Sequence, residues 1–150
     1  MIGVLEVVTE MPKLFFDFLP RDWGEHILPL WPNLKETSDI YTLKNERNKL
    51  VCGGIVFKES LPTPSSIEKT FISSVDKNWY YLGYIYTDTA YRNQGLASKW
   101  LHEVMNLDKN VSYWLTTEEQ ALSDFYLKNG FQLYRHDTEN TETLFIFDRQ

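Results

Sequence analysis

Apolar residues change their spacing several times along the chain, and each change marks an element. Ile2 to Val8 reads as a first strand. Pro12 can open a helix because a first-turn residue needs no N–H, and Leu14, Phe15, Phe18 and Leu19 recur on one helical face until Pro20 stops it. Residues 20–38 carry three prolines, two tryptophans and Gly24, a mixture that predicts short turns and a loop-rich second helix. Ile40–Lys44 and Lys49–Phe57 read as strands joined by a turn over Asn45–Asn48, since Asn tolerates left-handed backbone. Gly53-Gly54 inside the second of these predicts a bulge or a close backbone approach.

Leu61-Pro62-Thr63-Pro64 breaks the chain, and Ser65-x-x-Glu68 is a capping box. Ile67, Phe71, Ile72 and Val75 then follow at helical spacing, which predicts an amphipathic helix over 65–76. Tyr80–Thr87 is aromatic and β-branched, as strands are, and Leu96–Met105 has helical periodicity. Val111–Thr116 reads as a strand and Glu118–Asn129 as a helix, with Thr117 as its cap and Gly130 in the left-handed position that ends it. Phe131–Tyr134 and Glu142–Phe147 close the chain as a hairpin around a polar loop, Arg135–Thr141. The order β-α-α-β-β-α-β-α-β-α-β-β predicts an α/β (α+β) domain with a mixed, partly antiparallel central sheet flanked by helices. With no linker or repeat visible, residues 1–150 read as a single domain.

Chemistry concentrates where the strand ending at Thr87 passes into the helix starting near Leu96. The intervening run contains Arg92, Asn93, Gln94 and Gly95, and the helix opens with Leu96, Ala97 and Ser98. The first amides of a helix lack internal partners, and the helix dipole favours negative charge there. Gly95 lets backbone approach a phosphate, and Ala97 keeps the first turn open. The pattern predicts a site for a phosphorylated ligand.

Composition narrows the partners. The net charge of −6 gives no basic footprint for nucleic acid or an anionic membrane, and no apolar run is long enough to span a bilayer. An acidic surface suits a cationic acceptor, although solubility alone also explains it. The single Cys52 sits in an apolar run and reads as a buried small hydrophobe. With no disulfide framework and no signal-peptide pattern at the N-terminus, the expectation is a cytoplasmic protein. No His, Cys, Asp or Glu set has metal-ligand spacing.

Two segments carry a family resemblance. Arg92-x-x-Gly95-x-Ala97 is similar to the pyrophosphate-binding signature of the GNAT N-acetyltransferase superfamily, and Phe125-Tyr126-Leu127-Lys128-Asn129-Gly130-Phe131 resembles that family's Phe-Tyr-x-x-x-Gly-Phe segment. Their order and separation match, and the resemblance spans roughly residues 40 to 147. It implies an acyltransferase that moves an acetyl group from acetyl-CoA to a primary amine, on a small molecule or a peptide, by direct attack. It also implies that Ile85, Tyr86 and Thr87 lie along pantetheine and that residues 92–98 grip the pyrophosphate. Phe125 and Lys128 would line the cofactor from the later helix, and Tyr126 would give a proton to the departing sulfur. Phe125 is at the same time the better core candidate of the Phe125-Tyr126 pair.

Departures from the family pattern keep alternatives open. Thr87 stands where relatives often carry Val, and Glu119 and Leu122 stand where they often carry Asn and Ala. The helix after Ser65 replaces a short hairpin common in relatives. The base that deprotonates the amine is not identified: Glu25, His26 and Asp88 are candidates, His136, in the loop between the last two strands, could touch an acceptor, and His102 reads as structural. Trp23, Trp31, Trp79 and Tyr134 are candidates for the border of an acceptor site. A non-catalytic acyl-CoA-binding or sensing module remains the alternative to an enzyme, and a phosphate-ligand protein unrelated to CoA is a third reading.

Overall fold

The computed structural model describes residues 3–149. Among them seven strands form one sheet in the order β1-β2-β3-β4-β5-β7-β6. β2 (Ser38–Lys44) and β3 (Leu50–Phe57) form the first hairpin. Its turn works as the asparagines predict: Asn45 Oδ1 accepts from the amides of Arg47 and Lys49, and Asn48 takes φ +63°. β4 (Trp79–Thr87) pairs antiparallel with β3 and parallel with β5 (Ser112–Thr117). β6 (Gln132–Asp137) and β7 (Glu142–Phe147) complete the far edge, with β7 against β5.

Helices cover both faces. α1 (Pro12–Phe16), α2 (Arg21–Ile27) and α3 (Trp31–Leu34) pack Phe15, Phe16, Ile27, Trp31 and Leu34 against Ile40, Ile55 and Phe57. On the other face α5 (Leu96–Met105) buries Leu96, Trp100, Leu101, Val104 and Met105, residues its period sets on one side. α6 (Ser123–Lys128) adds Tyr126 to the same core. α4 (Ser66–Ser74) carries the full capping box, with Ser65 N–H donating to Glu68 Oε1 at 2.8 Å, and sets Ile67 and Phe71 on Trp114 and Leu144.

The paired glycines of β3 are a close approach on both faces. A Cβ on Gly53 would lie 2.6 Å from the Phe15 ring, and one on Gly54 2.6 Å from the Trp100 ring. The bulge is present too, but its extra residue lies in β4. Gly53 faces Tyr86 and Ile55 faces Gly83, so one residue of β3 stands against two of β4, and Tyr84 takes φ +55°.

Four segments differ from the sequence expectations. The segment 20–38 is helical almost throughout, because Pro29 and Pro32 each fall in a first turn, where a missing N–H breaks no bond. The first strand shortens to β1 (Glu6–Val7), an edge paired on one side only, and Ile2 lies outside the described residues. The helix expected over 118–129 begins later. Thr117 Oγ1 accepts from Glu119 N, a 3₁₀ turn covers Gln120–Leu122, and α6 starts at Ser123. Finally β6 runs on to Asp137, since Asp137 caps a tight turn and Thr141 takes φ +51°; His136 is therefore in a strand, not a loop.

Candidate active site

The parallel β4–β5 pairing runs from Trp79/Ser112 only as far as Tyr81/Trp114. Beyond that point the strands part, and two adjoining cavities occupy the opening. The first, about 720 Å³, lies between the end of β4, the loop into α5 and one side of α6. The second, about 600 Å³, lies between the bulge of β4, the end of β5 and α2. Trp23, Ile85, Glu119, Leu122 and Tyr126 border both.

The loop is held by its own side chains. Arg92 Nε donates to the Thr87 carbonyl at 3.2 Å, and its guanidinium lies 5.5 Å from the centre of the Tyr86 ring. Asp88 Oδ1 accepts from Ala90 N, and its amide donates to Val51 O. Asn93 and Gly95 take φ +64° and +76°, which swings the chain into the first turn of α5. A Cβ on Gly95 would meet nothing within 4 Å, so its backbone faces the open cleft. The first amides of α5 therefore border the cavity beside Arg92 and, across it, Lys128. Glu119 is the single carboxylate in this lining.

Of the residues expected to touch a cofactor, Ile85, Tyr86, Thr87, Arg92, Asn93, Gly95, Leu96, Ala97, Ser98, Phe125 and Lys128 line the first cavity; Gln94 does not. The Thr87 hydroxyl is turned away, donating to Cys52 Sγ at 3.4 Å. Cys52 itself is fully buried, and burial pushes its thiol up to about 11.

Tyr126 sits at the junction, 7% exposed, among the rings of Phe125, Phe131 and Phe145. Burial pushes its phenol up to about 12, helped by the charge of Glu119. The expectation that Phe125 is the core residue of the pair is reversed. Phe125 is half-buried on the cavity wall, and Tyr126 is the deeper side chain.

The second cavity is built around the bulge. Tyr84, turned by its positive φ, places its hydroxyl 2.7 Å from His26 Nδ1, and Trp23 meets the edges of Tyr84 and Tyr86. Burial pushes the Tyr84 phenol up to about 12. His26 lines this cavity, while the other base candidates are engaged elsewhere. Glu25 pairs with Arg21, Asp88 caps its turn, and His136 Nδ1 lies 2.7 Å from the Thr143 hydroxyl. His102 ties α5 to Asn129 at the end of α6, a structural role. Of the four aromatic candidates only Trp23 reaches the cavities. Trp31 is buried against Phe16, and Trp79 and Tyr134 pack on Phe71. Glu142 and Glu118 line the second cavity without having been singled out from the sequence as site residues. Gly83 inside a strand was the one local signal that pointed to the bulge beside Tyr84.

Among the described residues no three His, Cys, Asp or Glu side chains are grouped to hold a metal, and no helix is long and apolar enough to cross a membrane.

No curated protein matches the chain at significant similarity. Solved structures do. A provisionally assigned acyl-CoA N-acyltransferase from Klebsiella pneumoniae superposes with a TM-score of 0.67 at 14% identity, covering 95% of this chain and 94% of that one. A GNAT-family acetyltransferase from Listeria monocytogenes gives 0.64 at 17% identity, over 95% and 92% of the two chains. A provisionally assigned streptothricin acetyltransferase from Bacillus anthracis, solved with acetyl coenzyme A, gives 0.56 at 17% identity, over 73% of this chain and 61% of its own. At these identities the likeness shows the fold. The acetyltransferase (GNAT) domain family matches residues 37–133, which spans the bulge, the loop into α5 and Tyr126. The chain belongs to the GNAT acetyltransferase family.

Proposed function

We propose that this protein transfers an acetyl group from acetyl-CoA to a primary amine by direct attack. The observation that carries the reading is the parting of β4 from β5 after Tyr81, directly beside a left-handed loop and a free helix N-terminus. The first cavity suits the cofactor. Its backbone amides at Asn93, Gly95, Leu96 and Ala97, with Arg92 and Lys128, match a pyrophosphate, and Ser98 adds a hydroxyl. The edge of β4 left without a β5 partner suits the pantetheine amides, which would add as a short strand along Ile85 and Tyr86. The Thr87 carbonyl already accepts from Arg92, which leaves it one lone pair for such pairing.

This threading brings the thioester to the junction of the two cavities. The neutral amine attacks the acetyl carbon from the second cavity, a C–N bond forms, and the C–S bond breaks with its electron pair going to sulfur. Tyr126 donates its phenolic proton to the thiolate, and the extra proton of the amide nitrogen returns through water to the phenolate, which restores the donor. A phenol near 12 stays protonated at neutral pH, as a donor must.

Release of free thiol from acetyl-CoA, measured across mono-, di- and polyamines and short peptides, tests the reading. Release that requires an amine supports it. Tight acetyl-CoA binding with no release on any amine would instead identify a binding module.

A further inference from the structure

The second cavity carries a charge pattern opposite to that of the first. Asp22, Glu118, Glu119 and Glu142 line it, and neither Lys nor Arg does. Among the described residues none of these four carboxylates takes part in an ion pair. They come from α2, from the end of β5 and from β7, so the fold gathers them from three separate stretches of chain. Glu142 is 9% exposed and receives the Ser65 hydroxyl at 2.7 Å. Burial raises its carboxyl above the usual range and the charges of Glu68 and Glu118 add to this, while the hydrogen bonds oppose it.

The remaining wall mixes aliphatic side chains with several rings. Trp23, Tyr81, Tyr84 and Tyr126 all border the space, and ring faces attract organic cations. Tyr126 supplies an independent mark of a ligand: it is nine-tenths buried at the junction, and its hydroxyl has no hydrogen-bond partner among the described residues.

We propose that the second cavity selects acceptors carrying a second positive charge, that is, small organic di- or polyamines. One nitrogen reaches the junction beside Tyr126 as the neutral nucleophile. A second, still protonated, rests among Glu118, Glu119, Glu142 and Asp22. A lone monoamine gains nothing from these carboxylates once it is deprotonated for attack, whereas a diamine keeps its charge on the nitrogen that does not react. An acceptor bearing a carboxylate meets like charge and is disfavoured. This assignment of substrate class rests on the transferase reading above, and a binding measurement separates the two.

Spermidine, butylamine and a lysine-containing tripeptide amide are titrated calorimetrically into the protein saturated with CoA. Spermidine should bind at least about tenfold more tightly than butylamine, and its affinity should fall as salt is raised. The double variant Asp22→Asn/Glu118→Gln changes exposed side chains and leaves the fold untroubled. It should weaken spermidine at least about fivefold, while affinity for CoA, whose cavity neither residue lines, changes little. Equal binding of spermidine and butylamine, no binding of either, or no effect of the double variant would overturn the proposal. Tighter binding of the peptide than of spermidine would overturn the small-molecule assignment. Spermidine binding as expected without thiol release would leave this inference standing and defeat the transferase reading. Butylamine acetylated as efficiently as spermidine would do the reverse.

Discussion

The two halves of the cleft share one opening and two walls yet are built by different means. The first half is made of backbone: a left-handed loop, the free amides of a helix and a strand edge, with Arg92 and Lys128 as supporting charge. The second is made of side chains drawn from α2, β4, β5 and β7, and its charge has the other sign. A backbone site keeps its character through most substitutions, because nearly any residue supplies the same N–H. A side-chain site changes with each residue. On the proposed function, the first half, for the cofactor, is expected to be the constant part of the machine and the second, for the acceptor, the adjustable one.

The comparison breaks most sharply at Gly95. Gly95→Trp places a large ring where only open cleft lies and forces a non-glycine residue to φ +76°, itself a strain of about 1–2 kcal/mol. Acetyl-CoA affinity should fall by more than about a hundredfold, while spermidine binding in the other half persists; calorimetry on the folded variant reads both. Normal acetyl-CoA binding would remove the loop from the site.

Tyr126 stands on the border between the halves. Tyr126→Phe keeps the ring in its aromatic nest and deletes only the donor, so turnover should drop by about a hundredfold with acetyl-CoA affinity little changed. Steady-state kinetics paired with calorimetry would show it, and unchanged turnover would take Tyr126 out of the mechanism.

Stability above neutral pH gives a smaller, graded effect. The phenols of Tyr126, Tyr84 and Tyr113 are each pushed up to about 12 in the fold, from an ordinary value of 10.0. Groups raised in this way contribute stability that is intact below pH 10 and lost as pH climbs through 12. Tyr126 alone accounts for on the order of 2 kcal/mol. Melting temperature should hold level to pH 10 and then fall, and Tyr126→Phe should blunt the fall.

The mildest test is Glu119→Gln, which removes a charge that both halves share and that raises the Tyr126 phenol. Proton donation becomes slightly easier and one attraction for a cation is lost. KM for a diamine should rise about threefold, with little change in kcat.

What was legible in the sequence follows the same division. The loop from Arg92 to Ser98, the strand ending at Thr87, the capping box at Ser65 and the Asn45 turn depend on neighbours in the chain, and the structure has each of them. The acceptor half depends on residues far apart. Asp22 and Glu142 lie 120 positions from one another, and no local pattern pairs them. The bulge was expected at Gly53-Gly54 but its extra residue lies in the neighbouring strand, for a related reason. Its strain is borne by Tyr84, a residue type that gives no sign of a positive φ, while the glycines that drew attention sit on the strand opposite. The prolines of 20–38 were misread because their effect depends on where in a turn they fall, and that is set by packing against the sheet.

Gly53 and Gly54 have a mechanical consequence. With no side chains there, the strand is at its thinnest, and Phe15 presses on it from one face while Trp100 presses from the other. The Trp100 indole also donates to the Tyr41 carbonyl at 2.9 Å. Helix α5 is thereby riveted through the sheet one turn from its own start, and it can neither slide nor roll without lifting a ring out of its seat. The amides at its tip stay aimed at the cleft, so the phosphate of the proposed cofactor would meet a socket already cut to shape and spend none of its attraction on setting the helix in place.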